Sequence, residues 1–173
     1  MSVLITRPAL DAPDTAGKLQ PYTIETLIDP MMAIEWVTSI DNDISNFKHI
    51  IFTSKNGIRS FCKANDRRDL TAWCVGDETT KFAIKNGFKN AFSAKGTSSE
   101  LYQLIKDKLA PQPMLRITRI DQQDHFSESL NREGYAITQL PLYHAVPVNN
   151  LAENTIKAIQ EGKITDILFY SPY

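Results

Sequence analysis

Hydroxyl groups set where a strand gives way to a helix carry most of the chemistry open to this chain. Thr53 and Ser54 follow the apolar run Ile50-Ile51-Phe52, and Ile58, Phe61 and Cys62 then recur at the spacing of one helix face. Either hydroxyl can cap that helix, so its first N–H groups point toward the carboxyl end of the strand. That edge of a parallel sheet is where ligands bind, and a helix start there attracts anions. Gly76-Asp77-Glu78-Thr79-Thr80 is a second strand-to-helix turn, with one glycine and a hydroxyl pair. The first pattern returns at the end of the chain, where Ser171 follows Asp166-Ile167-Leu168-Phe169-Tyr170. Tyr143 stands at the end of another apolar stretch, and read by itself its ring packs.

Other chemistries lack their patterns. There is no GxxxxGK[ST] phosphate loop and no GxGxxG after a strand, and Ser54 lacks the GxSxG surroundings of a nucleophile elbow. Asp77, at a helix start, reads as a cap rather than a general base. Lys106, Lys108, Arg116 and Arg119 read as solvated surface rather than an anion clamp. His49, His125 and His144 are scattered and show no metal-ligand spacing. Cys62 and Cys74, without a CxxC pattern, read as buried free thiols.

Composition is that of an ordinary soluble protein, with 42% hydrophobic and 23% charged residues among 173. A net charge of −1 speaks against nucleic acid or an acidic membrane surface as partner. No apolar run approaches the ~18 residues of a spanning helix. The start, Val3-Leu4-Ile5 followed directly by Thr6-Arg7-Pro8, is too short and wrongly flanked for a signal peptide, so a cytoplasmic protein is expected.

The elements that must position these groups alternate between strand and helix. Strands are expected over 2–6, 22–28, 50–52, 72–75, 91–92, 114–118, 135–142 and 167–170. Helices are expected over 40–47, from Ser54 onward, over 79–86, after the capping box Thr97-Ser98-Ser99-Glu100, through Phe126 and Leu130, and after a second box pattern at Asn150-Leu151-Ala152-Glu153. Pro13, Gly17 and Pro21 leave only a short helix near the start. This alternation indicates a parallel sheet covered on both faces. The expected layout is one complete three-layer α/β lobe over 35–145 and an incomplete outer lobe from 1–30 and 148–173. Crossover connections fall at 31–34 and 146–147.

Five motifs in this order, Val3-Leu4-Ile5-Thr6-Arg7-Pro8, Ile51-Phe52-Thr53-Ser54, Val75-Gly76-Asp77-Glu78-Thr79, Leu140-Pro141-Leu142-Tyr143 and Leu168-Phe169-Tyr170-Ser171-Pro172, resemble the uroporphyrinogen-III synthases. The resemblance runs over the whole chain. It implies two flavodoxin-like lobes, with the chain starting in one, building the other and returning. It also implies a lyase that closes the linear tetrapyrrole hydroxymethylbilane with loss of water and inversion of the last pyrrole ring, without cofactor or metal. The substrate's carboxylates would be gripped in the cleft between lobes by backbone N–H groups and hydroxyls, which suits the modest net charge. Carried over residue by residue, Arg7, Thr53, Ser54, Gly76, Thr79 and Ser171 become substrate-binding, and Tyr143 becomes the catalytic group that helps the hydroxyl leave. The chain departs from the family's pattern at Lys55, where proline is usual, and at Arg119, where glycine is usual. Family chains also continue past a Ser-Pro like Ser171-Pro172. The outer lobe is therefore expected to be unfinished, the 173-residue form to be weak or inactive, and its open edge to favour self-association. The alternative is a flavodoxin-like binding or interaction module that performs no reaction.

Overall fold

Short β-branched and aromatic runs form the strands, and from the strand that opens at His49 to the one that ends at Pro147 helices return the chain between strands that pair in parallel. The computed structural model describes residues 2–120 and 124–169. In chain order the first elements are β1 (Ser2–Ile5), α1 (Ala12–Leu19), β2 (Glu25–Ile28) and β3 (Met32–Trp36). Then come β4 (His49–Phe52), α2 (Lys55–Ala64), β5 (Thr71–Cys74), α3 (Asp77–Lys85), β6 (Ala91–Ser93) and α4 (Ser98–Lys108). The last are β7 (Pro113–Arg119), α5 (His125–Arg132), β8 (Ala136–Pro147), α6 (Glu153–Gln160) and β9 (Asp166–Leu168).

Contacts divide the chain into two units, one running to Glu35 and resuming at Ala145, the other Trp36–His144. A three-stranded sheet, β2-β1-β9, belongs to the first. β1 is central and pairs in parallel with both neighbours, Leu4 lying opposite Leu27 and Ile167. Pro13 is accommodated in the first turn of α1, where its missing N–H has no intrahelical partner to lose.

The second sheet has the order β3-β8-β7-β4-β5-β6. Counting from β4, the five strands β4 to β8 take the order of a doubly wound sheet, which reverses between β4 and β7. Alternation along β4 supplies a core to each face. Ile50 and Phe52 join Ile58, Phe61, Phe88, Leu115 and Ile117 beneath α2 and α3. Ile51 joins Trp73, Leu101, Ile105, Met114 and Leu130 on the face covered by α4 and α5. Phe52 packs edge-on against Phe88 with ring centroids 5.2 Å apart, the geometry that ring quadrupoles favour. The layered parallel-sheet class is the one expected.

Several local expectations are corrected. Residues 40–47 form no helix, because Asp43 takes the Ser45 N–H on its side chain at 2.9 Å and turns the chain locally. Where crossover connections are expected, the chain is extended, 31–34 entering β3 and 146–147 ending β8. Gly76 and not Asp77 is the cap of α3. The Asn150 to Glu153 pattern forms no box, since Ala152 caps α6 and its N–H donates to Asp29 Oδ2 at 2.8 Å. The box at Thr97 is complete, with its hydroxyl accepting from the Glu100 N–H and the Glu100 carboxylate accepting from the Thr97 N–H. Of the two cysteines, Cys74 is buried and Cys62 only partly so, and both are free.

Candidate functional site

Ser54 leaves β4 in extended geometry and caps α2, its Oγ accepting the Gly57 N–H at 3.2 Å. The same Oγ lies 3.2 Å from the Tyr143 hydroxyl, 89 residues away in sequence. β8 brings Tyr143 there. Its register against β7 slips between Thr118 and Arg119, so that Tyr143 faces Arg119. Such a slip re-aims the side chains that follow it. Tyr143 is 9% exposed, with its ring 6.4 Å from that of Trp36. Ser54 follows the carboxyl end of β4, beside the β4/β7 reversal where doubly wound sheets bind ligands, and Tyr143 of β8 lies level with Arg119 at the carboxyl end of β7. A phenol and a serine hydroxyl within hydrogen-bond reach, backed by a helix start, can orient an oxygen-bearing group and pass it a proton.

One strand over, Gly76 is extended and opens α3, with Thr79 buried in the first turn. Asp77 accepts a hydrogen bond from Ser93 Oγ at 2.5 Å, and Thr80 Oγ1 returns to the Gly76 carbonyl at 3.0 Å. A Cβ at Gly76 would stand 3.9 Å from the Gly96 nitrogen, so the starts of α3 and α4 lie side by side. Two adjacent helix starts with hydroxyls suit a polycarboxylate.

Of the other expected residues, Thr53 is partly exposed beside Ser54. Arg7, in the first unit, donates from Nη1 to Thr15 Oγ1 of α1 at 2.9 Å. Ser171 lies outside the described residues.

One charged group overturns its expected place on the solvated surface. Arg116 is only 3% exposed, inside β7, and pairs through Nη2 with Asp124 Oδ1 at 2.9 Å. Its guanidinium lies 4.4 Å from the Phe126 ring centroid. Asp124 in turn caps α5, accepting the Ser127 N–H at 3.3 Å and the Ser127 hydroxyl. Burial lowers the Arg116 pKa, and Asp124 and then Tyr143 oppose that shift. The signal available in sequence was position. A residue two after Met114 in a central parallel strand shares its covered face, so it cannot be solvated. Burial also pushes the Cys74 thiol up to about 11, with the Thr80 hydroxyl opposing.

No group of three or more metal-ligating side chains occurs among the described residues, and no described helix is long and apolar enough to cross a membrane. The family model described as uroporphyrinogen-III synthase HemD matches residues 13–173. Among solved structures, a mutant uroporphyrinogen III synthase from the extremely thermophilic bacterium Thermus thermophilus superposes with a TM-score of 0.59 at 14% identity, covering 96% of this chain and 71% of that one. Uroporphyrinogen-III synthetase from Helicobacter pylori superposes with a TM-score of 0.59 at 18% identity, covering 91% of this chain and 67% of that one. At these identities the likeness is one of fold. No curated protein matches at a significant level.

Proposed function

The chain belongs to the uroporphyrinogen-III synthase family, lyases of porphyrin biosynthesis, and from that premise we propose that it cyclises hydroxymethylbilane with Tyr143 assisting departure of the hydroxyl. The observation that carries this reading is the contact between Ser54 Oγ and the Tyr143 hydroxyl at the sheet reversal. Ser54 holds the phenol in one orientation, and the phenol proton passes to the leaving oxygen, which departs as water. The helix starts at Ser54, Gly76 and Thr97 receive carboxylates, and Thr53 and Thr79 add hydroxyls; Arg7 and Ser171 bind substrate in this reading by the family resemblance alone. No cofactor enters this scheme. A cytoplasmic setting belongs to the same reading and is supported by two free cysteines.

The test is to supply the chain with hydroxymethylbilane and separate the product isomers. Hydroxymethylbilane also closes spontaneously without inverting the last ring, so the fraction of the inverted isomer measures catalysis directly. A small excess of inverted isomer over the uncatalysed background is the expected result, in keeping with the weak activity expected of the 173-residue form. Binding of the linear tetrapyrrole without inverted product would replace the enzyme by a binding module.

A further inference from the structure

Lys55 stands where local forces would not put a cation. It is the first residue of α2, directly after the Ser54 cap, and the helix dipole disfavours positive charge there. Arg59 and Lys63 follow one and two turns on, and α2 carries no acidic residue. Like charges at this helical spacing repel. The Lys55 side chain is nonetheless mostly covered, with 26% of its surface exposed. Its ammonium reaches across to α3, 3.9 Å from Glu78 Oε2 and 5.9 Å from the Phe82 ring centroid. Arg59 lies over the same ring at 5.0 Å. The Lys55 side chain thus bridges from the start of α2 at Ser54 to the first turn of α3, where Glu78 precedes Thr79. The ion pair to Glu78 is loose, and Lys81 takes the other oxygen of that carboxylate at 3.1 Å. When Lys55 turns to an incoming anion, Glu78 keeps Lys81 as a partner.

We propose that Lys55 is a further substrate-binding residue, a cation that pairs with one carboxylate of the linear tetrapyrrole beside Ser54 and gives up Glu78 to do so. The inference rests on the function proposed above, and it adds a charged side chain to two helix starts that otherwise offer backbone N–H groups and hydroxyls. Two physical terms favour the exchange. A carboxylate between the starts of α2 and α3 meets both helix dipoles as well as the ammonium, whereas Glu78 is 66% exposed and shared with Lys81. The incoming charge also offsets the repulsion between Lys55 and Arg59. Lys55 touches no bond that forms or breaks in this scheme, so it holds substrate and transition state alike. Its loss should therefore appear in KM and not in kcat.

The experiment follows inverted-isomer formation from hydroxymethylbilane by the wild-type chain, Lys55→Gln, Lys55→Arg and Lys63→Gln, at low and at high salt. Lys63→Gln removes the same charge from the same helix about 12 Å further along, and so controls for the general field of α2. Glutamine is a good helix former and relieves an unfavourable charge at the helix start, so Lys55→Gln is expected to fold, and its melting curve checks that. The expected result for Lys55→Gln is a KM raised about fivefold at low salt with kcat within about twofold, and a difference that shrinks as salt screens the pair. Lys55→Arg and Lys63→Gln should stay within about twofold of the wild type in both constants. A KM change below twofold in Lys55→Gln, an equal rise in Lys63→Gln, or a loss confined to kcat overturns the inference and leaves the proposed function standing. A wild-type chain that makes no inverted isomer overturns the proposed function, and this inference with it.

Discussion

At the scale of single residues, the contact between Ser54 and Tyr143 asks one side chain to cap a helix and orient a phenol together. A positioned general acid contributes roughly 10²–10⁴-fold, and departure of a hydroxyl from an electron-rich pyrrole needs little of it. Tyr143→Phe is therefore expected to lower inverted-isomer formation about 10- to 100-fold, with the melting temperature almost unchanged. A packing role for Tyr143 reverses both outcomes, giving full activity per folded molecule and a lowered melting temperature. Cys74 makes a separate, pH-dependent prediction. Its folded pKa of about 11 stands above the ordinary 9.0, because burial disfavours the thiolate. The folded state then holds its proton more tightly than the unfolded chain. The stability from burying the neutral thiol is complete below pH 9.0 and is lost as the pH rises toward about 11. Urea midpoints taken on either side of that window should fall more for the wild type than for Cys74→Ala.

At the scale of elements, two helices with side-chain caps differ in what their caps must also do. Thr97 caps α4 at an exposed position, in a reciprocal box with Glu100. Thr97→Ala should cost about 1 kcal/mol, the ordinary value of a lost cap. Asp124 caps α5 and is also the counter-ion of a buried arginine. Asp124→Ala removes the cap and strands the Arg116 charge, so a loss of about 3–5 kcal/mol is expected. Arg116→Met with Asp124→Asn should recover most of it, because neither an unpaired charge nor an empty cap remains. Chemical denaturation of the four proteins reads this comparison directly. Equal losses for Thr97→Ala and Asp124→Ala would mean that the ion pair carries no burden beyond capping.

At the scale of the whole molecule, the two sheets differ in protection. β4, β5 and β7 are flanked on both sides by strands and covered on both faces by helices. β2 and β9 are the edges of a three-stranded sheet, with Ile28 at 41% and Ile167 at 40% exposure. Amide exchange should therefore be slowest in β4, β5 and β7 and at least about tenfold faster in β2 and β9, since opening free energies follow buried contacts. Uniform protection across the chain contradicts this. An exposed edge carrying Ile167, followed by Phe169 at 80% exposure, also offers backbone groups to a second copy. Sedimentation should show concentration-dependent association that Ile167→Lys abolishes.

What is readable in the sequence alone is whatever depends on near neighbours. The apolar run Ile50-Ile51-Phe52 followed by Thr53-Ser54 is enough to place a strand, a cap and a helix, because capping and helix-face spacing act within a few residues. The box at Thr97 is local in the same sense, and so is the parallel α/β class, which follows from alternation. Local reading failed where a short polar side chain had a competing bond. Asp43 turned 40–47 away from helix, and Asp29 met Ala152 from across the chain. Only the tertiary structure could bring Ser54 to Tyr143, because that contact depends on strand order and on a register slip in β8, neither of which leaves a local trace. Arg116 was legible only through its place in the strand. Its type and neighbours suggest a solvated residue, and its burial was decided by two helices packing over the strand that carries it.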